Sequence, residues 1–80
     1  MVNWRSATVN GMTVVAGGSY RHKKTDGVYQ VGCIARMEAD LTPVVVYGKD
    51  AQVWIRPLAE FCDGRFEPYI DPEMEVSRSG

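Results

Sequence analysis

Turn-forming residues interrupt this chain at short intervals, and their spacing limits what it can fold into. Glycine, asparagine and aspartate cluster between short apolar segments, at Asn10-Gly11, Gly17-Gly18, Asp26-Gly27, Gly48 and Asp63-Gly64. The longest uninterrupted apolar run covers only residues 44–47, far short of the roughly 20 residues that cross a bilayer. Short β-branched and aromatic runs between such turns are typical of antiparallel strands. The pattern predicts an all-β domain and no membrane insertion.

Two hairpins are predicted in the first half of the chain. Asn10-Gly11 lies between residues 4–9 and 12–15 and suits a type I′ turn, in which both central residues have positive φ. A second hairpin is predicted between residues 19–24 and 28–37. Alternation along its second strand places on one face Tyr29, Val31, Cys33 and Ala35.

Three further elements follow. Residues 44–47 and 52–56 have the β-branched and aromatic character of strands, and Pro57 ends the second of them. Proline is also favoured at the start of a helix, so residues 57–61 are predicted to form one helical turn before a last strand at 65–70. This order predicts a small SH3-like antiparallel barrel of five to six short strands with one helical turn before the last strand. The rival prediction is a short open sheet completed by a partner chain.

The 80 residues suffice for one domain. We expect an N-terminal hairpin or arm at 1–17, a β-barrel domain at 18–70 and a flexible acidic tail at 71–80. So small a chain leaves little length for a lid or a second lobe. Any site is therefore expected on the barrel wall or between copies of the chain, which favours a homo-oligomer if a ligand is fully enclosed.

The charge and the cysteines bear on partners and compartment. The net charge of −1 and pI near 5.7 disfavour nonspecific nucleic-acid binding, although Arg21, His22, Lys23 and Lys24 form a local basic cluster. The first ten residues lack the apolar core of a signal peptide. We therefore expect a cytoplasmic protein in which Cys33 and Cys62 are free thiols.

Trp54 and Arg56 share one face of their predicted strand. If Val53 and Ile55 face the core, the indole and the guanidinium lie together on the outer wall, and such a pair is typical of binding hot spots. The alternative is that Trp54 belongs to the core and the register is shifted by one residue. The alternation leaves both possibilities open.

The basic cluster near Tyr20 offers a second candidate surface. Tyr20 and His22 share one face of the strand, whereas Arg21 and Lys23 share the other. An arginine fork and a switchable imidazole can together hold an anion. The alternative is a solvated basic strand edge that prevents aggregation.

Catalytic and metal chemistry have little support in the sequence. One histidine and two cysteines, at positions 22, 33 and 62, lack the paired spacing of zinc ligands. No sequence motif indicates a nucleophile together with a base and a group that orients the base. We expect a protein that is not an enzyme, with no metal and no cofactor.

Three blocks of the sequence, residues 20–23, 45–47 and 53–58, resemble the bacterial and phage family known as DUF1653, a domain of unknown function. The resemblance extends over about residues 18–70 and implies a stand-alone intracellular β domain without an assigned activity. It departs from the family pattern at residues 24–27 and in the short loop at 48–52. The matching blocks contain the five candidate ligand-binding residues, Arg21, His22, Tyr47, Trp54 and Arg56.

These residues favour a non-enzymatic module that captures a small anionic, nucleotide-like ligand. An aromatic ring would stack on a base while arginine binds phosphate oxygens. In a phage, such a protein could sequester a nucleotide signal. The first alternative is a protein-interaction or homo-oligomerisation module, because interfaces are rich in the same residue types. The second alternative is a small nucleic-acid-binding barrel that uses residues 21–24, which the net charge disfavours.

Overall fold

The computed structural model describes residues 3–70. The predicted flexible tail at 71–80 lies outside the described residues. Within them the chain forms seven strands and one helical turn: β1 (Ser6–Val9), β2 (Met12–Val15), β3 (Ser19–His22), β4 (Val28–Arg36), β5 (Pro43–Lys49), β6 (Gln52–Pro57), α1 (Leu58–Phe61) and β7 (Phe66–Pro68). The prediction of an all-β domain with one helical turn before its last strand is confirmed.

The strands form two antiparallel sheets. β1 and β2 pair as a hairpin, and the other five strands form one sheet in the order β6-β5-β4-β3-β7. Strands β3 to β6 follow one another as a meander, and α1 carries the chain to β7 at the opposite edge. In residues 3–70 no ladder joins β6 to β7, so the sheet remains open instead of closing into a full barrel.

The turn residues take the conformations that the sequence requires. Asn10 and Gly11 have φ of 53° and 76°, as a type I′ turn demands, and they connect β1 to β2. Asp26 and Asp50 also have positive φ, at 65° and 56°, in the turns before β4 and β6. Short polar side chains tolerate this left-handed region better than branched ones. The local turn chemistry thus sets the hairpin connections.

A β-bulge changes the face of β4. The register with β5 shifts between Val31 and Cys33, so that Val31 and Ile34 both point into the core. The prediction that Cys33 shares a face with Tyr29 and Val31 is therefore wrong. A bulge adds one unpaired residue to one strand, and strict alternation is lost beyond it.

One hydrophobic core lies between the main sheet, the hairpin and α1. The two largest fully buried side chains are Phe61 and Leu58 from α1. The hairpin contributes Ala7 and Val14, which are 2% and 0% exposed. The phenol of Tyr20 also links β3 to β2, because its oxygen accepts a hydrogen bond from Val15 N at 2.8 Å. The N-terminal hairpin therefore covers one side of the core.

The helical content of the described chain is limited to α1, which has four residues. Over residues 3–70 no helix is long and apolar enough to cross a membrane.

Candidate functional site

A pocket of about 260 Å³ opens where the two edges of the main sheet approach each other. Trp54 and Arg56 reach it from β6 at one edge, and Phe66 reaches it from β7 at the other. We refer to it as the aromatic pocket; its lining residues are His22, Thr25, Tyr29, Tyr47, Trp54, Arg56 and Phe66. Every strand of the main sheet therefore contributes at least one side chain, and the turn after β3 contributes one more.

Cross-strand pairing builds the aromatic wall of this pocket. Tyr47 of β5 lies directly opposite Trp54 of β6, and their ring centroids are 6.1 Å apart. Tyr29 meets both rings nearly edge-on, with centroid distances of 5.6 Å to Tyr47 and 5.7 Å to Trp54. Aromatic pairs in these arrangements stabilise each other by about 0.5–1.5 kcal/mol beyond their buried area. The Trp54 indole is thus held in place while 40% of its surface stays exposed.

Arg56 places a cation among these rings. Its Nε donates a hydrogen bond to the Tyr47 phenol oxygen at 3.2 Å, and its Cζ lies 5.9 Å from the Phe66 ring centroid. The Glu60 carboxylate is 3.7 Å from its terminal nitrogen, a loose ion pair. The hydrogen bond with Tyr47 is the main cause of the raised pKa of Arg56. The guanidinium is therefore a permanent positive charge, only partly neutralised by Glu60.

His22 forms the opposite side of the pocket. Its ring packs edge-on against Phe66, its cross-strand partner, at a centroid distance of 4.9 Å. Thr25 Oγ1 lies 3.2 Å from His22 Nδ1. The imidazole is therefore oriented from two sides. Within residues 3–70 no carboxylate oxygen lies within 4.0 Å of its nitrogens.

The structure brings together four of the five predicted ligand-binding residues, namely His22, Tyr47, Trp54 and Arg56. The fifth, Arg21, is outside the pocket. Its Nε donates a hydrogen bond to Glu67 Oε2 at 2.6 Å, and a terminal nitrogen binds Asp26. The hydrogen bond with Glu67 is the main cause of the raised pKa of Arg21, and the contact with Asp26 adds to it. Arg21 therefore joins β3 to β7.

The structure resolves the two alternatives for Trp54. Val53 and Ile55 are 69% and 58% exposed, so Trp54 and Arg56 lie on the face of β6 that turns toward the core. Of the two alternatives, the one in which Val53 and Ile55 face the core is therefore wrong. Strand β6 is an edge strand, and the flat indole packs against Tyr47 at the rim of the core.

Sequence reasoning missed three lining residues, Thr25, Tyr29 and Phe66. Phe66 enters the pocket through the long-range pairing of β7 with β3, for which the sequence carries no local signal. The sequence does contain a signal for Tyr29. If the second hairpin turns at residues 23–26, Tyr29 pairs with Tyr20, and paired residues lie on the same face of the sheet. Among residues 3–70 no group of three His, Cys, Asp or Glu side chains is placed to hold a metal ion.

The comparisons with known proteins gave one result. The model of a family described as "Protein of unknown function (DUF1653)" matches residues 18–67. The matched span contains every residue that lines the aromatic pocket. No curated protein and no solved structure matches the chain.

Proposed function

The chain belongs to the DUF1653 family of proteins of unknown function, and from its aromatic pocket we propose that it is a non-enzymatic module that binds a small, planar, anionic ligand of the nucleotide class. The observation that carries the proposal is the permanent cation of Arg56 beside the half-exposed indole of Trp54. A base has the shape and π-face to stack on the indole. The guanidinium can bind a phosphate through two parallel hydrogen bonds.

The geometry also favours binding over catalysis. His22 and Thr25 are within hydrogen-bond distance of each other, as a base and a nucleophile would be. Among the described residues, however, no carboxylate within 4.0 Å orients the imidazole. In a triad, the carboxylate also stabilises the imidazolium that forms when the base accepts a proton, whereas the neighbours that orient His22 are Phe66 and Thr25. We therefore propose that His22 and Thr25 act as ligand contacts.

The test is a calorimetric titration with nucleosides and nucleotides, supported by Trp fluorescence. Trp54→Ala is expected to weaken nucleotide binding about tenfold or more, because base stacking on one aromatic ring contributes about 1–3 kcal/mol. Trp4→Ala is the matched control, since Trp4 is 59% exposed and does not line the pocket. If no nucleotide binds, or if both variants bind as the wild type does, the proposal fails.

A second candidate function is self-association through β6. Within residues 3–70 this strand pairs on one side only, with β5, and Val53 and Ile55 are exposed on its outer face. An exposed apolar edge strand is a template for pairing with another strand. We propose a second copy as the partner, with two β6 strands running antiparallel about a twofold axis.

Light scattering coupled to size-exclusion chromatography tests this second candidate. We expect a dimer in the wild type and a monomer in the double variant Val53→Lys with Ile55→Lys. Exposed Leu41→Lys is the control, because Leu41 is 63% exposed and lies outside the strands. A wild type that stays monomeric up to millimolar concentration would rule out self-association.

A further inference from the structure

A second cleft adjoins the aromatic pocket and shares His22 with it. It has a volume of about 640 Å³ and is lined by His22, Lys23, Lys24, Gly64 and Arg65. We refer to it as the basic cleft. His22 lines both cavities, so its imidazole marks the boundary between them.

One backbone hydrogen bond joins the two sides of the basic cleft. Lys23 N donates to Arg65 O at 2.9 Å, which joins the turn after β3 to the loop before β7. Gly64 has a φ of 108°, a left-handed conformation that glycine adopts at little cost. A Cβ at that position would meet no atom within 4 Å, so the glycine leaves open space beside the cleft. The cleft thus lies on the surface beside the edge of the sheet, and its two sides are joined through the backbone.

The cations of the basic cleft outnumber the carboxylates that neutralise them. Arg65 binds Asp63 at 3.0 Å and lies 4.0 Å from Glu60. In the part of the chain that the structure describes, neither lysine has a carboxylate oxygen within 4.0 Å. Two exposed and unbalanced ammonium groups create a local positive potential in a protein whose net charge is −1. This potential favours an anion.

We infer that the basic cleft binds the outer phosphates of a nucleotide whose base stacks in the aromatic pocket. This inference rests on the proposed function. Arg56 is placed to bind the phosphate nearest the ribose, and Lys23 and Lys24 bind those beyond it. The ligand class is therefore a nucleotide with two or more phosphates. Lysine ammonium groups bind phosphate as point charges, which suits a flexible chain of phosphates.

The experiment compares nucleosides with their 5′-mono-, di- and triphosphates by calorimetry. A Trp4→Phe background leaves Trp54 as the only indole, so its quenching reports occupancy of the aromatic pocket. Affinity is expected to rise with the number of phosphates. In the double variant Lys23→Ala with Lys24→Ala, triphosphate affinity should fall about tenfold or more, while nucleoside affinity stays unchanged.

A matched control separates this site from the effect of total charge. The double variant Arg5→Ala with Arg36→Ala removes two exposed cations that do not line either cleft. It should keep triphosphate binding within about twofold of the wild type, and the salt dependence of binding should fall only in the lysine variant.

The outcomes distinguish this inference from the proposed function. If neither nucleosides nor nucleotides quench Trp54, the proposed function fails. If nucleosides bind and added phosphates give no gain, or if the lysine variant keeps the gain, the aromatic pocket stands and the basic cleft assignment is overturned. Tighter binding of a single-stranded oligonucleotide than of any free nucleotide would also overturn it, in favour of nucleic acid.

Discussion

Among the glycines of residues 3–70, Gly48 has the least room for a side chain. A Cβ at this position would lie 2.6 Å from the backbone oxygen of Gln52, across the turn from β5 to β6. We expect Gly48→Ala to lower the free energy of unfolding by about 1–3 kcal/mol, as overpacking does. Gly32→Ala is the control, because its Cβ would meet only Val46 O at 3.5 Å, an ordinary contact. Chemical denaturation measures both, and equal losses would contradict the prediction.

The two cysteines differ in their surroundings. Cys62 is buried, whereas Cys33 is partly exposed, and burial is the main cause of the raised pKa of the Cys62 thiol. Only the thiolate reacts readily with disulfide reagents. We expect Cys33 to react with Ellman's reagent in the folded protein and Cys62 to react only upon unfolding. The variants Cys33→Ala and Cys62→Ala assign each phase, and equal rates for the two thiols would disprove the expectation.

The same burial makes stability depend on alkaline pH. Because the pKa of Cys62 is raised in the folded state, its contribution to stability is full below the pKa of an exposed thiol. The contribution is lost as pH rises through the folded pKa. Unfolding measured between pH 7 and 10 should therefore show a steeper decline in the wild type than in Cys62→Ala. Parallel declines would contradict this assignment.

Trp54 shows what alternation along a strand reveals and what it leaves open. The period of two predicts correctly that Trp54 and Arg56 share a face. It cannot tell which face turns inward, because exposed Val53 and Ile55 are as apolar as core residues. The inward face is set by partners on other strands, Tyr29 and Tyr47, whose positions depend on the sheet.

At the level of elements, polar contacts with β3 add to the packing of Phe66 that holds β7 in place. Three residue pairs join these two strands. Arg21 of β3 binds two carboxylates, that of Glu67 in β7 and that of Asp26 in the turn before β4. Exposed ion pairs contribute little individually and are weakened by salt. Arg21 is therefore expected to stabilise the edge of the sheet without contacting the ligand.

Arg21→Gln tests this structural role. We expect a lower thermal unfolding midpoint at low salt, with a smaller difference from the wild type at about 1 M salt, where screening shortens the Debye length. Nucleotide affinity should stay within about twofold of the wild type, because Arg21 does not line the aromatic pocket. Scanning calorimetry and titration measure the two effects. A large loss of affinity with an unchanged midpoint would place Arg21 in the site instead.

Most elements could be predicted from the sequence because their signals are local. Asn10-Gly11 predicts the first hairpin, and Pro57 indicates the junction between β6 and α1. The bulge after Val31 could not be predicted, because a glycine within a strand is compatible with regular pairing as well. It is seen only once β5 is aligned with β4.

At the scale of the whole molecule, the N-terminal hairpin is part of the core. Val14 is 0% exposed, whereas its neighbour Val15 is 44% exposed. Val14→Ala removes two methyl groups from the core and should cost roughly 1.6 kcal/mol, at about 0.8 kcal/mol each. Val15→Ala should change stability by no more than about 0.5 kcal/mol. Equal effects in denaturation experiments would mean that the hairpin does not seal the core.

The global arrangement was predictable only in part. A meander with short turns follows from the sequence, since consecutive strands usually pair. The open edge between β6 and β7, and hence the aromatic pocket that spans it, depends on the pairing of β7 with β3 and on the packing of Phe61 on Phe66, whose centroids are 4.1 Å apart. Neither has a signal in any single segment of the chain.

The pairing of β7 with β3 has a consequence for the order of folding during synthesis. Arg21 and Glu67 meet although 46 positions separate them, so this contact closes a long loop. Because the N-terminal part of a nascent chain emerges first, β3 leaves the ribosome before β7. One edge of β3 stays unpaired until Phe66 has been synthesised. Until then, the stacked pair of Phe61 and Phe66 cannot form. Pairing of β7 therefore covers the free edge of β3 and ends the interval in which that edge is open to aggregation.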